Sequence, residues 1–418
     1  LSFQQKQYFL SETGKKSAGA IMQKPFTDKV KSLMIFVISF LLIALGCEQS
    51  GVLKHEEKLA TTSPVFNRIA SSATTSLSFS RLPERNEKMS ARIGILYWSM
   101  NIPGQVAMRT GIEKEFSRIN QKRAEKGLTQ LEKIELVAGD GDQGIEKQIR
   151  QMAELIEKQV DLIIVQPTDI TALSGSLKKA NEANIPVIAY DQHIVDGELE
   201  CFLTSNNYQA GYLAGEYVAS KFPAEKELKA LIIEYPQVFS TVERVNGFID
   251  ALESYRQKYR ILHSYSAVEP VSGQIAARKI LEDFPDKNSI DLIFAVNDGG
   301  GVAVARELEK AGRDEIFLAT VDGDPKAVEI IRKGGIIKFD AAQFCSALGV
   351  ETMKKAYKLL TGQKVLKKYL IPTFPIASET LNLYQGWYSE IPESFEKPWA
   401  CRNKAWNNLL KASNKELE

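Results

Sequence analysis

The sequence predicts an α/β protein with two open, doubly wound parallel sheets, and three observations lead there. From Ala91 onward, short apolar runs alternate with amphipathic helical stretches. The runs are apolar almost throughout, the pattern of parallel strands buried on both faces. Ten of them are present, a number that two sheets accommodate better than one.

In chain order the strands are expected in RIGILYW, KIELVA, DLIIVQ, IPVIAY and CFLT, then in KALIIEY, YRILHSY, DLIFAV, EIFLAT and GIIKFD. The stretch 145–159, IEKQIRQMAELIEKQ, shows why the intervening segments are read as helices. Its apolar Ile145, Ile149, Met152, Leu155 and Ile156 fall on one face at helical spacing. Polar clusters follow the strands: SMN, GDGDQ, PTD and DQH in the first half, PQ, NDGG and DGD in the second. Asp, Ser and Asn are ordinary helix caps. Repeated planar Asp, Asn and Gln groups at strand ends also suit a polar ligand cleft, because open parallel sheets bind ligands beyond the carboxyl ends of their strands.

The stretch FAVNDGGGVAVARELEKAG, 294–312, narrows the ligand class. A dinucleotide fingerprint counted from Gly299 and Gly301 requires glycine at 304, where Val304 stands. A phosphate loop requires Lys followed by Ser or Thr, whereas Asn297 and Asp298 lead this loop. A carboxylate beside phosphate is repulsive, so the loop suits something uncharged or cationic.

Ahead of the alternating region lies a targeting pattern. In MQKPFTDKVKSLMIFVISFLLIALGC, 22–47, the basic Lys24, Lys29 and Lys31 precede an apolar run from Leu33 to Leu45. That run is short of the about 20 apolar residues of a membrane-spanning helix. The ending ALGC is similar to a bacterial lipobox, although Ala44 stands where Leu is usual, and it makes Cys47 the expected lipidation site and membrane anchor. A plain export signal and an uncleaved anchor are the alternatives. Residues 1–21, which begin with Leu, carry no signal features and are expected to be a non-native upstream extension. Residues 48–90, rich in Ser, Thr and charge, are expected to form a flexible tether with a span of roughly 35 Å.

Lys and Arg number 53 against 52 Asp and Glu, so no global field draws the chain to nucleic acid, and no nucleic-acid partner is expected. Four widely spaced cysteines and three histidines argue against structural zinc, and no metal or other cofactor is expected. Motifs GxSxG, HExxH and the P-loop are absent from the sequence, and His193 near Asp191 lacks a nucleophile. A binding protein is therefore expected, not an enzyme.

The stretches IIVQPTD, ANEANIPVIAYD, RVNGF, FAVNDGG and VDGDPKAVEIIRKGG resemble the ribose- and galactose-type periplasmic binding proteins, the solute receptors of ABC importers. The resemblance runs from about Ala91 to Pro372 in the family's order and spacing. It implies two lobes of like topology joined by a three-stranded hinge, with the ligand enclosed between them and hinge closure as the motion. Lobe 1 is expected to hold 91–204 and 343–370, lobe 2 to hold 205–342 and 371–385, and 386–418 to form an extension. By motif, Asp191 ends a strand of the first lobe, Arg244 opens RVNGF, Asn297 and Asp322 end strands of the second lobe, and Gln343 sits at the crossover in DAAQF. Asn297 and Asp298 resemble the family's hydroxyl-binding pair.

These residue types fit a small neutral sugar or polyol: carboxylates accept from vicinal hydroxyls, Arg donates through a fork and amides do both. Taken alone, Asp191 and Arg244 are equally consistent with a surface salt bridge. Two departures from the family pattern stand out. NIPGQ places Gly104 and Gln105 where aromatic rings are common, and Gln192 follows Asp191 where Arg is common. Trp98 is expected either to stack on the sugar in place of those rings or to pack beneath its loop, and Asn101 and Gln192 complete the expected binding set.

The expected partner is an ABC permease, with the chain acting as a monomer at the cell envelope. A signalling co-receptor similar to the autoinducer-2 receptors, coupled to a membrane sensor kinase, is the alternative. A regulator of the lactose-repressor type needs a helix-turn-helix where this chain has its tether. In the extension, CRNKAWNNLLKAS has helical spacing, the tail with Trp387, Trp399 and Trp406 is expected to pack on its own lobe, and Cys401 is left open to pairing with Cys201 or Cys345.

Overall fold

The computed structural model describes residues 90–414. The upstream extension, the signal segment with Cys47 and all but the last residue of the tether lie outside the described residues.

All ten expected runs are strands. The first sheet draws on β1 (Arg92–Tyr97), β2 (Glu132–Val137), β3 (Leu162–Val165), β4 (Val187–Tyr190) and β5 (Cys201–Ser205), interleaved with helices α1 (Pro103–Glu125), α2 (Gly141–Glu157) and α3 (Ser174–Glu182). After α4 (Asn207–Lys221) the second sheet draws on β6 (Leu228–Glu234), β7 (Tyr259–Ser266), β8 (Leu292–Ala295), β9 (Phe317–Asp322) and β10 (Ile337–Ala342). Its helices are α5 (Phe239–Ser254), α6 (Pro270–Asp283), α7 (Asp298–Lys310) and α8 (Pro325–Arg332). Then come α9 (Cys345–Leu360), β11 (Lys368–Ile371), β12 (Phe374–Ile376), β13 (Phe395–Glu396), β14 (Ala405–Trp406) and β15 (Lys411–Ser413).

The seven-stranded sheet runs β15-β11-β5-β4-β3-β1-β2 and the six-stranded sheet β12-β10-β9-β8-β6-β7. Each is parallel apart from one antiparallel edge strand, β15 on the first and β12 on the second. Central strands β3, β4 and β8 are buried at every residue. β2 and β7 correct the expectation of strands buried on both faces: most of their residues are only half-buried or exposed, because each is the last strand of its sheet.

Three adjacent crossings join the sheets, from β5 to α4 at 205–207, from β10 to α9 at 342–345 and from β11 to β12 at 371–374, and the tail returns once more to the first sheet through β15. Helix α4 packs on β9, β10 and β12, whereas α9 packs on α1, β3, β4 and β5, so each helix sits on the lobe that its crossing has just entered. The crossings lie side by side, with Asn206 N donating to Ile371 O at 2.7 Å.

The tail departs from its helical spacing. Ala405–Trp406 and Lys411–Ser413 are strands, paired antiparallel with β13 and β11. The indole of Trp406 decides the outcome: it is buried against Phe374 and Phe395, and its Nε1 donates to Thr373 O at 2.8 Å. Trp399 is buried against Tyr217 of α4. Cys201, Cys345 and Cys401 are all free thiols.

Candidate functional site between the lobes

A strand end, a hinge crossing and helix α5 bring Asp322, Gln343 and Arg244 together. Asp322 is the last residue of β9, at φ +135°, and Asp191 follows β4 at φ +66°. Both conformations are unfavourable for a residue with a Cβ and recur where the surroundings fix a functional side chain. Asp322 Oδ1 accepts from Arg244 Nη1 at 3.0 Å and from Gln343 Nε2 at 2.7 Å. The amide oxygen of Gln343 accepts from Ser205 Oγ at 2.8 Å, which links the first crossing to the second.

Arg244 is buried on α5. Its Nε donates to Asn207 Oδ1 at 3.0 Å and its Nη1 also donates to Val296 O at 2.7 Å. Asn207 opens α4 at the first crossing, so the guanidinium is braced by the hinge before any ligand arrives. One further charge lies near, on Asp191. Burial raises the pKa of Asp191, the Gln166 amide and the Arg244 guanidinium draw it down, and the charge of Asp322 raises it again. The charges of Arg244 and Asp322 on lobe 2 thus bear on Asp191 on lobe 1.

The other expected residues divide. Trp98 is half-buried at the end of β1, with its carbonyl accepting from Gly139 N, and Asn101 is exposed and donates to Asp140 Oδ2 at 2.9 Å. Both follow β1 on the first lobe. Gln192 places its backbone N on Tyr190 O. Asn297 caps α7 through Gly300 N and donates to Val268 O at 2.8 Å, so both ends of its side chain are engaged within lobe 2. Asp298 does not meet the cleft as a partner of Asn297: it is buried, and its Oδ2 accepts from Asp324 N at 2.7 Å.

Three residues of the site escape the motif reading. Gln166, buried at the end of the DLIIVQ run, donates to Asp191 Oδ2 at 3.0 Å. Its own carbonyl accepts from Gln148 Nε2, and α2 turns Gln148 and Gln151 inward while Ile149 is exposed. Ser205 and Asn207 are the others. The available signal was polarity adjoining an otherwise apolar run.

Residues 93–364 match the model of the periplasmic binding protein domain. The chain belongs to this family. The ribose import binding protein RbsB of Escherichia coli is 27% identical over 317 residues, which cover 75% of this chain and 96% of that one. Its Bacillus subtilis counterpart is 27% identical over 282 residues, 67% of this chain and 85% of that one. Among solved structures, an ABC transporter solute-binding protein of Actinobacillus succinogenes with bound D-allose aligns at a TM-score of 0.60 and 24% identity, covering 70% of this chain and 100% of its own. One from Bacillus halodurans with bound myo-inositol aligns at 0.60 and 21% identity, covering 71% and 98%. The fold is thus the two-lobed periplasmic binding protein fold. Among the described residues, no helix is long and apolar enough to cross a membrane.

Proposed function

We propose that this chain is the receptor of an ABC importer, binding a small neutral sugar or polyol reversibly between its lobes and presenting it to a membrane permease. The observation that supports this reading is the bond of Arg244 to Asp322 on lobe 2, with the charges of both bearing on Asp191 of lobe 1. Vicinal hydroxyls bridge such carboxylates, and a hydrogen bond to a charged group is worth about 1.5–3 kcal/mol net. An analogue lacking a hydroxyl leaves a buried charge unpaired, which gives discrimination. The names of the relatives support the class: ribose import for the two above, fructose import for a Bifidobacterium longum protein 28% identical over 243 residues. No catalytic step is proposed. Asp191, Arg244, Asp322 and Gln343 form the proposed ligand set, with Trp98 and Asn101 at the rim, Gln192 beside Asp191 and Asn297 setting the start of α7.

In this reading the receptor acts as a monomer and is held at the cell envelope through lipidated Cys47, with the folded lobes on the tether. A thermal-shift screen of the chain from Ser90 tests the ligand class. A ligand at one hundred times its dissociation constant adds about 2.7 kcal/mol to folded-state stability. D-ribose, D-allose and myo-inositol are the first probes. A response to charged amino acids or nucleotides with none to any polyol would overturn the reading.

A further inference from the structure

Behind Asp322 lies a pair of carboxyls that the ligand set does not use. Asp298 at the start of α7 is 2% exposed and Asp340 in β10 is fully buried. Each has one oxygen engaged with backbone: Asp298 Oδ2 accepts from Asp324 N at 2.7 Å and Asp340 Oδ1 accepts from Gly323 N at 3.0 Å. These are the two peptide N–H groups that follow Asp322. The other two oxygens, Asp298 Oδ1 and Asp340 Oδ2, are buried without a donor. The hydroxyl of Thr320 is likewise buried without a partner, and the charge of Asp340 bears directly on Asp298.

Two ionised carboxylates with unsatisfied acceptor oxygens in a dry site repel strongly, and both conditions are relieved by one proton held between them. We propose that Asp298 and Asp340 share a single proton and act as a positioning pair, fixing the Gly323 and Asp324 peptides so that Asp322 is aimed into the cleft. This pairing deepens the receptor reading and rests on it only for the ligand that Asp322 would meet. The outer oxygens hold the loop at its φ of +135° and +82°, for Asp322 and Gly323, while the inner oxygens are joined by the proton. Loss of that proton sets two negative charges against each other and loosens both loop contacts.

The charges facing the pair all favour keeping the proton or are committed elsewhere. Asp322 and Asp324 add negative charge, Tyr384 lies close with its hydroxyl on Gly323 O, and Arg244 spends its charge on Asp322. Burial, then the charge of Asp322, raises Asp340 from 3.8 to about 8, and burial, then Asp340, holds Asp298 well above the usual carboxylate range. The sign follows. Between 3.8 and about 8 the folded protein keeps a proton that the unfolded chain has released, so stability declines as pH rises through this window and levels off above it.

The test uses the full chain in detergent, with Asp340→Asn and Asp298→Asn as variants. Either amide replaces the shared proton with a fixed N–H donor while keeping the outer oxygen. Urea unfolding from about pH 5 to pH 9 should show wild-type stability falling with pH and either variant falling less steeply. Parallel curves would overturn the shared proton. The aim of Asp322 is read from the indole N–H resonance of Trp387, assigned with Trp387→Phe, because that indole donates to Asp322 O at 2.7 Å. It should move as pH rises past about 8 in the wild type and stay fixed in Asp340→Asn. An unmoved wild-type resonance would overturn the positioning role. Affinity for D-ribose, D-allose and myo-inositol, measured over the same range, should weaken at alkaline pH in the wild type alone. If none of the three binds at any pH, the receptor reading fails, and the two ligand-free readouts still decide the pair.

Discussion

Asp322 receives a guanidinium and an amide from different elements, and this changes what its removal should do. A residue present only for ligand could be truncated without affecting the empty protein. Here Asp322→Ala leaves Arg244 buried without its bonded counter-ion, although it keeps Asn207 and Val296 O. With the Asp322 side chain about a quarter exposed, a loss of about 1–3 kcal/mol in the unliganded protein is expected, together with loss of the sugar response. Urea unfolding checks the first and the thermal-shift screen the second. An unchanged unfolding midpoint would mean that the Arg244 contact is idle without ligand. Gln166→Leu should act in the same direction, since it strips Asp191 of its buried donor. Among the residues legible by motif, Asp191 and Asp322 stand at strand ends and Gln343 at a crossover, whereas Arg244 lies within α5 and is marked in the sequence only by RVNGF. Gln166 and Asn207 were not legible: a polar side chain that holds another polar side chain has no periodicity of its own.

The elements pack in matched pairs. Helix α1 lies against α9 in one lobe and α4 against α5 in the other, each at a distance that glycine permits. A Cβ on Gly247 of α5 would fall well inside contact distance of Tyr208 O, and one on Gly349 of α9 would meet Met108 O likewise. The glycine in RVNGF is therefore a packing residue about one turn along from Arg244 of the proposed ligand set. Gly247→Ala forces backbone apart from backbone and should cost about 1–3 kcal/mol, measurable by urea unfolding. No loss would show that the helices separate freely. The ten strands were legible because runs buried between helices must be apolar. The tail was not, because β14 and β15 are two and three residues long and are held by partners distant in sequence, Phe395 and Tyr369 among them. Trp406→Ala removes a buried indole and its bond to Thr373 O, and a loss of about 3–5 kcal/mol is expected.

For the whole molecule the tail adds a restraint beyond the three crossings. Trp399 and Lys397 are buried on Glu216 of α4, and Trp406 is buried beside Phe374, so residues 397–406 are fixed to the second lobe. Five residues later Lys411 enters β15, hydrogen-bonded to β11 at the edge of the first sheet. A five-residue span reaches at most about 17 Å, so the lobes cannot swing apart at this side without peeling β15 from β11. The peeling is cheap in hydrophobic terms, because β15 is mostly exposed, but it breaks the backbone pairing of a short strand. Ending the chain after Leu409 should therefore leave both sheets folded and widen the range of hinge opening in the empty protein. Small-angle scattering reads the outcome: the radius of gyration of the unliganded truncated chain should exceed that of the full one, and saturating ligand should bring the two lobe arrangements together because closure is set by contacts in the cleft. Equal unliganded radii, after allowing for the missing residues, would show that β15 rides with the hinge without limiting it.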